Sequence, residues 1–255
     1  MEINLEESFA HLEHAPIVEA VLDLRAQATV SLEEKSFRAK LEETLHGYEY
    51  MDSRREYKSE LKIEKGILST PNIEDFGWKG LRFRSKDQKN IVQFNRNGLV
   101  FSRLEPYVDW QRFEEEALRL WGIYNQIAKP NEFQRIGLRF INRIKSPSSE
   151  VQFEKYFQGK IEPPSGLDLP YQGFMYQDTL NAPDHQLSIN IIRTIQQPGS
   201  SPDNLLALIL DIDVFSTEPS SMDLDSLKLR LNEMRWLKNK AFFGTVTDIV
   251  LQSFK

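Results

Sequence analysis

The run Arg135-Ile-Gly-Leu-Arg-Phe-Ile-Asn-Arg-Ile144 alternates charged and apolar residues, so it buries one face and wets the other only as a β-strand. Ahead of it, Trp110, Phe113 and Trp121 recur at helical spacing within 108–128, and Pro130 ends that stretch. An aromatic helix feeding an arginine-studded strand is a fold element, and it matches no catalytic motif.

Alternation returns elsewhere. Val18, Ala20, Leu22 and Leu24 share one face with Glu19, Asp23 and Arg25 on the other. A second strand is expected over 48–63, where Tyr57, Ser59, Leu61 and Ile63 oppose Glu56, Lys58, Glu60 and Lys62. Further strands are expected at 81–87, 90–95 and 99–104, with a hairpin turn at Asn95-Arg-Asn-Gly98, because Asn-Gly tolerates positive φ. Gly66, Pro71, Gly77 and Gly80 suggest a loop over 65–80. Between the first two strands, Ser31 is the expected N-cap of a helix carrying Leu32, Phe37, Leu41 and Leu45, ended by Gly47.

Past 145, Pro147, Ser148-Ser149 and Pro163-Pro164-Ser165-Gly166 bracket a short amphipathic piece around Phe153, Tyr156 and Phe157. Strands are expected near 171–180, 186–196 and 204–215, with Gln197-Pro-Gly-Ser-Ser-Pro-Asp203 as a connector. A helix over 223–241 has the stripe Leu224, Leu227, Leu231, Met234 and Leu237, and Gly244-Thr245 is expected to break it before a short last helix. The fold class expected is α+β, with mostly antiparallel sheet in two lobes, each covered by a long helix. The division is 1–145 for an N-terminal lobe, 146–170 for a connector and 171–255 for a C-terminal lobe.

Composition narrows the chemistry. The absence of cysteine removes disulfides, zinc-thiolate sites, iron-sulfur clusters and thiol catalysis. The net charge of −6 is uneven: 1–53 holds four basic residues against twelve acidic, whereas 54–145 holds nineteen against twelve. An acidic chain is a poor general binder of nucleic acid, since phosphate neutralisation drives that affinity. The longest apolar run, LLALIL at 205–210, is far short of the roughly 20 residues of a membrane span, and the acidic start is unlike a secretory signal. A cytoplasmic protein with no membrane association is expected.

Three segments together resemble a sporadically distributed family of uncharacterised bacterial proteins of about this length: Ala15-Pro-Ile-Val-Glu-Ala-Val-Leu-Asp-Leu-Arg25, Pro106-Tyr-x-x-Trp-x-x-Phe113 and the arginine strand. The stretch 231–247, ending Lys240-Ala-Phe-Phe-Gly-Thr-Val-Thr, is similar too. His14 stands where that family has asparagine. The resemblance spans nearly the whole chain and implies one evolutionary unit. It implies no activity, cofactor or substrate. The sporadic distribution implies an accessory role, as in a bacterial defence or toxin-antitoxin type system.

The leading expectation is a binding or interaction protein acting on an unidentified protein partner or on a second copy of itself, with nucleic acid the lesser alternative. Its surface is a basic strip: Arg135, Arg139, Arg143 and Lys145 on one strand face, and Arg82, Arg84 and Lys86 on another. If those strands are neighbours, their guanidinium groups grip phosphate or carboxylate in pairs. The bland reading pairs the strip with Glu19, Asp23, Glu56, Glu60 and Glu64 across strands. A rival is a magnesium-dependent enzyme acting on a phosphorylated or nucleic-acid substrate, with Asp211 and Asp213 as ligands behind Gly199-Ser200. The plainer reading makes these two carboxylates edge charges. A third reading is a homo-oligomeric scaffold. His11 and His14 are taken as an exposed pair, and Tyr107, Trp110, Phe113, Trp121 and Tyr124 as core. No cofactor is expected, since no phosphate-cradling loop, dinucleotide fingerprint or Gly-x-Ser-x-Gly is present.

Overall fold

The computed structural model describes residues 1–60, 63–64, 67–68, 72–146, 153–159, 165–167, 169, 172–197, 199 and 206–255. In chain order the elements are β1 (Ile17–Arg25), α1 (Glu34–Thr44), β2 (Tyr48–Glu60), the short β3 (Ile63–Glu64) and β4 (Ile67–Leu68), β5 (Asn72–Ser85), β6 (Asn90–Asn95) and β7 (Gly98–Leu104). They continue with α2 (Trp110–Ala128), β8 (Arg135–Lys145), β9 (Met175–Ala182), β10 (Leu187–Gln196), β11 (Ala207–Ser216), α3 (Leu224–Thr245) and α4 (Asp248–Gln252). Short 3-10 turns at Phe153–Lys155 and Pro183–His185 complete them.

Nine strands form one antiparallel sheet in the order β2-β5-β6-β7-β1-β8-β11-β10-β9, so the α+β expectation holds. β1 and β8 lie side by side at its centre, with Val21 opposite Arg139 and Asp23 opposite Gly137. Each half then repeats one plan. The opening strand, β1 or β8, pairs with the last strand of an antiparallel meander, of four strands (β2, β5, β6, β7) in the first half and three (β9, β10, β11) in the second, and a long helix follows. The strands assigned to the two expected lobes thus share a single sheet.

Period two decides what each face carries. Ala20, Leu22, Leu24, Leu99, Phe101, Leu138, Phe140, Leu208, Leu210 and Ile212 are buried on one face. The helices cover that face: Phe113 of α2 stacks on Phe101 at 5.3 Å, Phe37 of α1 meets Phe94 edge-on, and Leu227, Leu231, Met234 and Leu237 of α3 enter the same core. The other face is covered by none of the described helices.

Several expectations need correction. α1 starts at Glu34 with Glu33 as its N-cap and no capping side chain, so Ser31 does not cap it. The described parts of the expected loop, 67–68 and 72–80, are strand. Gly77 there has φ +83, beside a register shift between Glu56 and Tyr57, and Gly80 lies so close to β6 that a Cβ would meet the Phe94 carbonyl at 2.7 Å. These glycines serve a bulge and a close approach inside a strand, not a loop. α3 runs through Gly244, because the i→i−4 ladder tolerates one glycine at a modest cost. β11 is an interior strand between β8 and β10, so Asp211 and Asp213 are not edge charges. Pro147 to Ser149, Pro163-Pro164, Gly66, Pro71 and most of the 197–203 connector, with Ser200, lie outside the described residues.

Candidate functional site

The basic strip is divided by strand order. Arg82 and Arg84 are on β5, while Arg135, Arg139 and Arg143 are on β8, with β6, β7 and β1 between them. At strand spacing that separates the two groups by roughly 19 Å. All five are on the face that the helices leave bare, but most are engaged. Arg82 holds Asp52 through both arms, with Nε at 2.7 Å. Arg139 grips Asp211 of β11 through Nε at 2.8 Å and through its second arm. Arg135 lies flat over Gly137 to reach Asp23 of β1 at 2.6 Å and Asp213 of β11 at 3.3 Å. A Cβ at residue 137 would sit 2.1 Å from the Arg135 Nη1 atom, so a side chain there would have to displace that guanidinium from its place over the strand. Arg143 donates to Gln196 at 2.8 Å. Arg84 differs, since its buried Nε has no hydrogen-bond partner and it forms no ion pair among the described residues.

Asp211 and Asp213 face the same way as the arginines. Burial pushes the Asp213 carboxyl up, Arg135 and Arg139 oppose that, and Asp211 and Asp23 reinforce it. The carboxylate beside Arg139 holds the guanidinium pKa up. No group of three or more metal-ligating side chains is assembled among the described residues.

A cavity of about 620 Å³ opens on the other face, where the lead-in before β1, the start of α2, β8 and α3 meet. Its polar lining includes Tyr107, Trp110, Asn142, Arg235, Lys238 and Asn239, with the carboxylates of Glu7 and Asp109 on the same wall. Each is placed by its element. Asp109 caps α2 by accepting from the Arg112 amide at 2.8 Å, which fixes the first turn and Trp110 with it. Asn142 takes a core position on β8 and donates to the Leu210 carbonyl at 3.0 Å. Lys238 follows Leu231 and Met234 on the buried stripe of α3, four residues beyond Met234. The lead-in is fastened over the site, because Glu7 accepts from Trp236 at 2.9 Å and from Lys240 at 2.6 Å, and Phe9 stacks on Phe243 at 5.4 Å. Lys240 and Trp236 hold the Glu7 carboxyl below its usual range against some desolvation.

Two cations face this cavity without a carboxylate at ion-pair distance among the described residues. The Lys238 ammonium donates to the Asn239 side-chain carbonyl and lies 4.2 Å from the centre of the Phe140 ring. Burial drives its pKa down to about 7, and the neighbouring Arg235 adds to the fall. Arg235 stands over Trp110 at 5.4 Å. Burial raises the Tyr107 hydroxyl well above the ordinary phenol range, so it stays a neutral donor. The arrangement offers one fixed cation, one switchable cation, a phenol and amide groups beside aromatic rings.

Sequence reasoning placed Tyr107 and Trp110 in the core and passed over Asn142, Arg235, Lys238 and Asn239. The usable signal was polarity at buried-face positions: 142 continues the 138, 140, 144 series of β8, and 238 continues the 231, 234 series of α3. The four segments singled out in the sequence, at 15–25, 106–113, 135–144 and 231–247, all contribute wall to this one cavity. No family model matches the chain, and no curated protein matches it either.

Proposed function

We propose that the protein is a binding protein whose ligand seat is this cavity, and that the ligand is a small anion carried on an apolar or aromatic body. The observation that carries the reading is Lys238, a half-buried lysine in a 620 Å³ cavity with a second cation beside it and, among the described residues, no carboxylate within ion-pair distance of its ammonium, since Glu7 on the same wall is engaged by Lys240 and Trp236 and Asp109 caps α2. A buried charge without a partner is destabilising, and a bound anion relieves that penalty while the rings of Trp110 and Tyr107 take the apolar part. The seat draws on both proposed lobes, 1–145 and 171–255, so occupancy would tie them together.

A fluorescent naphthalene sulfonate tests the charge requirement against its neutral phenyl-naphthylamine counterpart. Saturable binding of the sulfonate, weakened at least tenfold in Lys238→Met and Arg235→Met with circular dichroism unchanged, is the expected result. Equal binding of the neutral dye, or full sulfonate binding by both variants, would overturn the reading.

A second reading keeps the bare face of the sheet as an interaction surface, because the Arg84 Nε is sunk there without a partner. Arg84→Ala would then abolish capture of an acidic partner without changing the melting temperature.

A further inference from the structure

The two ends of the sheet are protected unequally. β2 carries Glu49, Asp52, Arg54, Arg55 and Glu56, and its pairing with β5 shifts register three times. Charges and bulges are the devices by which sheets avoid adding strands at an edge. β9, at the opposite end, has no bulge and a single charge. Its sequence Met-Tyr-Gln-Asp-Thr-Leu-Asn-Ala contains no lysine, arginine, proline or glycine, and it pairs with β10 in unbroken register. Its one charge, Asp178, already bonds Arg193 of β10 at 2.8 Å. Met175, Leu180 and Tyr176 nevertheless stand in solvent, at 74%, 54% and 48% exposure. Among the described residues no strand pairs with the outer edge of β9.

We propose that β9 is a self-association edge, at which two copies of this chain join β9 to β9 in antiparallel fashion about a two-fold axis and continue the sheet from one subunit into the next. A two-fold contact requires a strand complementary to itself. An axis normal to the sheet preserves its faces, so only residues of the same face can pair. A register centred on Thr179 satisfies this. Thr179 meets its copy and Gln177 meets Asn181 on the bare face, while Asp178 meets Leu180 and Tyr176 meets Ala182 on the helix face. No like charges oppose each other, and the polar pairs suit cross-strand hydrogen bonding. Centring on Asp178 would set two carboxylates face to face, which is unfavourable.

The second copy is favoured over a foreign peptide because it brings an edge of matching length and an apolar helix layer as well. Arg230 ties α3 to the β9-β10 turn through the His185 carbonyl at 2.5 Å. On that first half of the helix Leu224 and Leu229 are exposed, at 47% and 54%. A strand pair alone falls short of the roughly 1,200 Å² of a stable interface, and such side chains extend it.

The chain lacks cysteine, so a single introduced thiol reports the register directly. Residues directly opposite in an antiparallel pair lie about 4.5–5.5 Å apart, within disulfide reach. Thr179→Cys is expected to give a covalent dimer under mild oxidation, whereas Tyr57→Cys, on the exposed surface of the charged β2 edge, is not. Light scattering on the unmodified chain is expected to give twice 29.8 kDa. The Met175→Lys/Leu180→Lys pair is expected to return that mass to the monomer with the melting temperature retained. A monomeric wild type, a dimer indifferent to the two lysines, or cross-linking through residue 57 instead of 179 would each overturn the proposal.

Discussion

At the scale of single residues, the molecule contains two kinds of buried charge with opposite consequences. Lys238 is the uncompensated kind. With its folded pKa near 7 and an ordinary lysine value of 10.5, the unfolded chain holds a proton that the folded chain releases between those limits. Stability attributable to this group therefore rises with pH from about 7 to 10.5, and below 7 its full penalty persists. Lys238→Met should stabilise the fold by about 3 kcal/mol at pH 6, water penetration and relaxation reducing the full shift, and the gain should shrink toward pH 10. Denaturant unfolding at pH 6, 8 and 10 checks this, and a pH-independent difference would sink it. Arg139 and Asp211 are the compensated kind. Asp211 is buried and Arg139 is half-exposed, so Arg139→Ala strands a carboxylate and should lose about 1–3 kcal/mol. Adding Asp211→Ala should recover part of that loss, whereas strictly additive losses would show that the pair is not coupled. The sequence made this pairing half legible. Asp23 was named as a cross-strand partner for the strip, and it does bond Arg135; that Asp211 and Asp213 complete the network depends on β11 lying beside β8.

At the scale of elements, faces were easier to read than boundaries. Period two assigned the buried and bare sides of β1 and β8 correctly, because a strand has only two faces. The hairpin at Asn95-Arg-Asn-Gly98 was legible for a related reason. Gly98 has φ +137, and a Cβ there would stand 2.1 Å from the Leu24 carbonyl of the next strand. Gly98→Ala should accordingly destabilise by about 3 kcal/mol, measured by thermal melting, and an unchanged melting temperature would contradict the close approach. The glycines of β5 misled because the same residue marks a loop, a bulge or a backbone contact, and only the neighbouring strand distinguishes them. Helix starts slipped for a simpler cause: Ser31 resembles a cap, yet the Glu33 carbonyl accepts the first intrahelical bond, from Phe37, and no side chain caps the end. Asp109 shows the contrasting case. Its carboxylate caps α2 and also borders the cavity, so Asp109→Ala should lose about 1 kcal/mol and weaken sulfonate binding, while Asp109→Asn should retain both. Loss of stability without loss of binding would separate the cap from the seat.

At the scale of the whole molecule, the property hidden from the sequence is strand order. Nothing local to 81–86 or 135–145 says that three strands intervene, and nothing in 207–216 says that it is interior; both follow from long-range pairing. The arginines that a linear reading gathers into one strip are therefore dispersed, and the polar residues that it ignores, Asn142 on β8 and Arg235, Lys238 and Asn239 on α3, converge on one cavity. The central joint has a further consequence. β1 and β8 pair through seven successive positions from Glu19–Ile141 to Arg25–Arg135, with a register shift between Ile17 and Glu19, and α2 and α3 share one apolar core across that seam. Separating the halves would expose Phe140, Leu138, Ala20 and Leu22 to water, at about 25 cal/mol for each Å² of apolar surface. Neither half then has a stable existence with the other unfolded, and the chain should unfold in one cooperative step. Its four tryptophans allow the test, since Trp78, Trp110 and Trp121 report on the first half and Trp236 on the second. Trp236→Phe and the Trp78→Phe/Trp110→Phe/Trp121→Phe variant should each show one fluorescence transition whose midpoint coincides with that of their own far-ultraviolet circular dichroism. Two separated midpoints within either variant would instead make the halves independent folding units, with the β1-β8 pairing a contact between lobes and not the spine of the sheet.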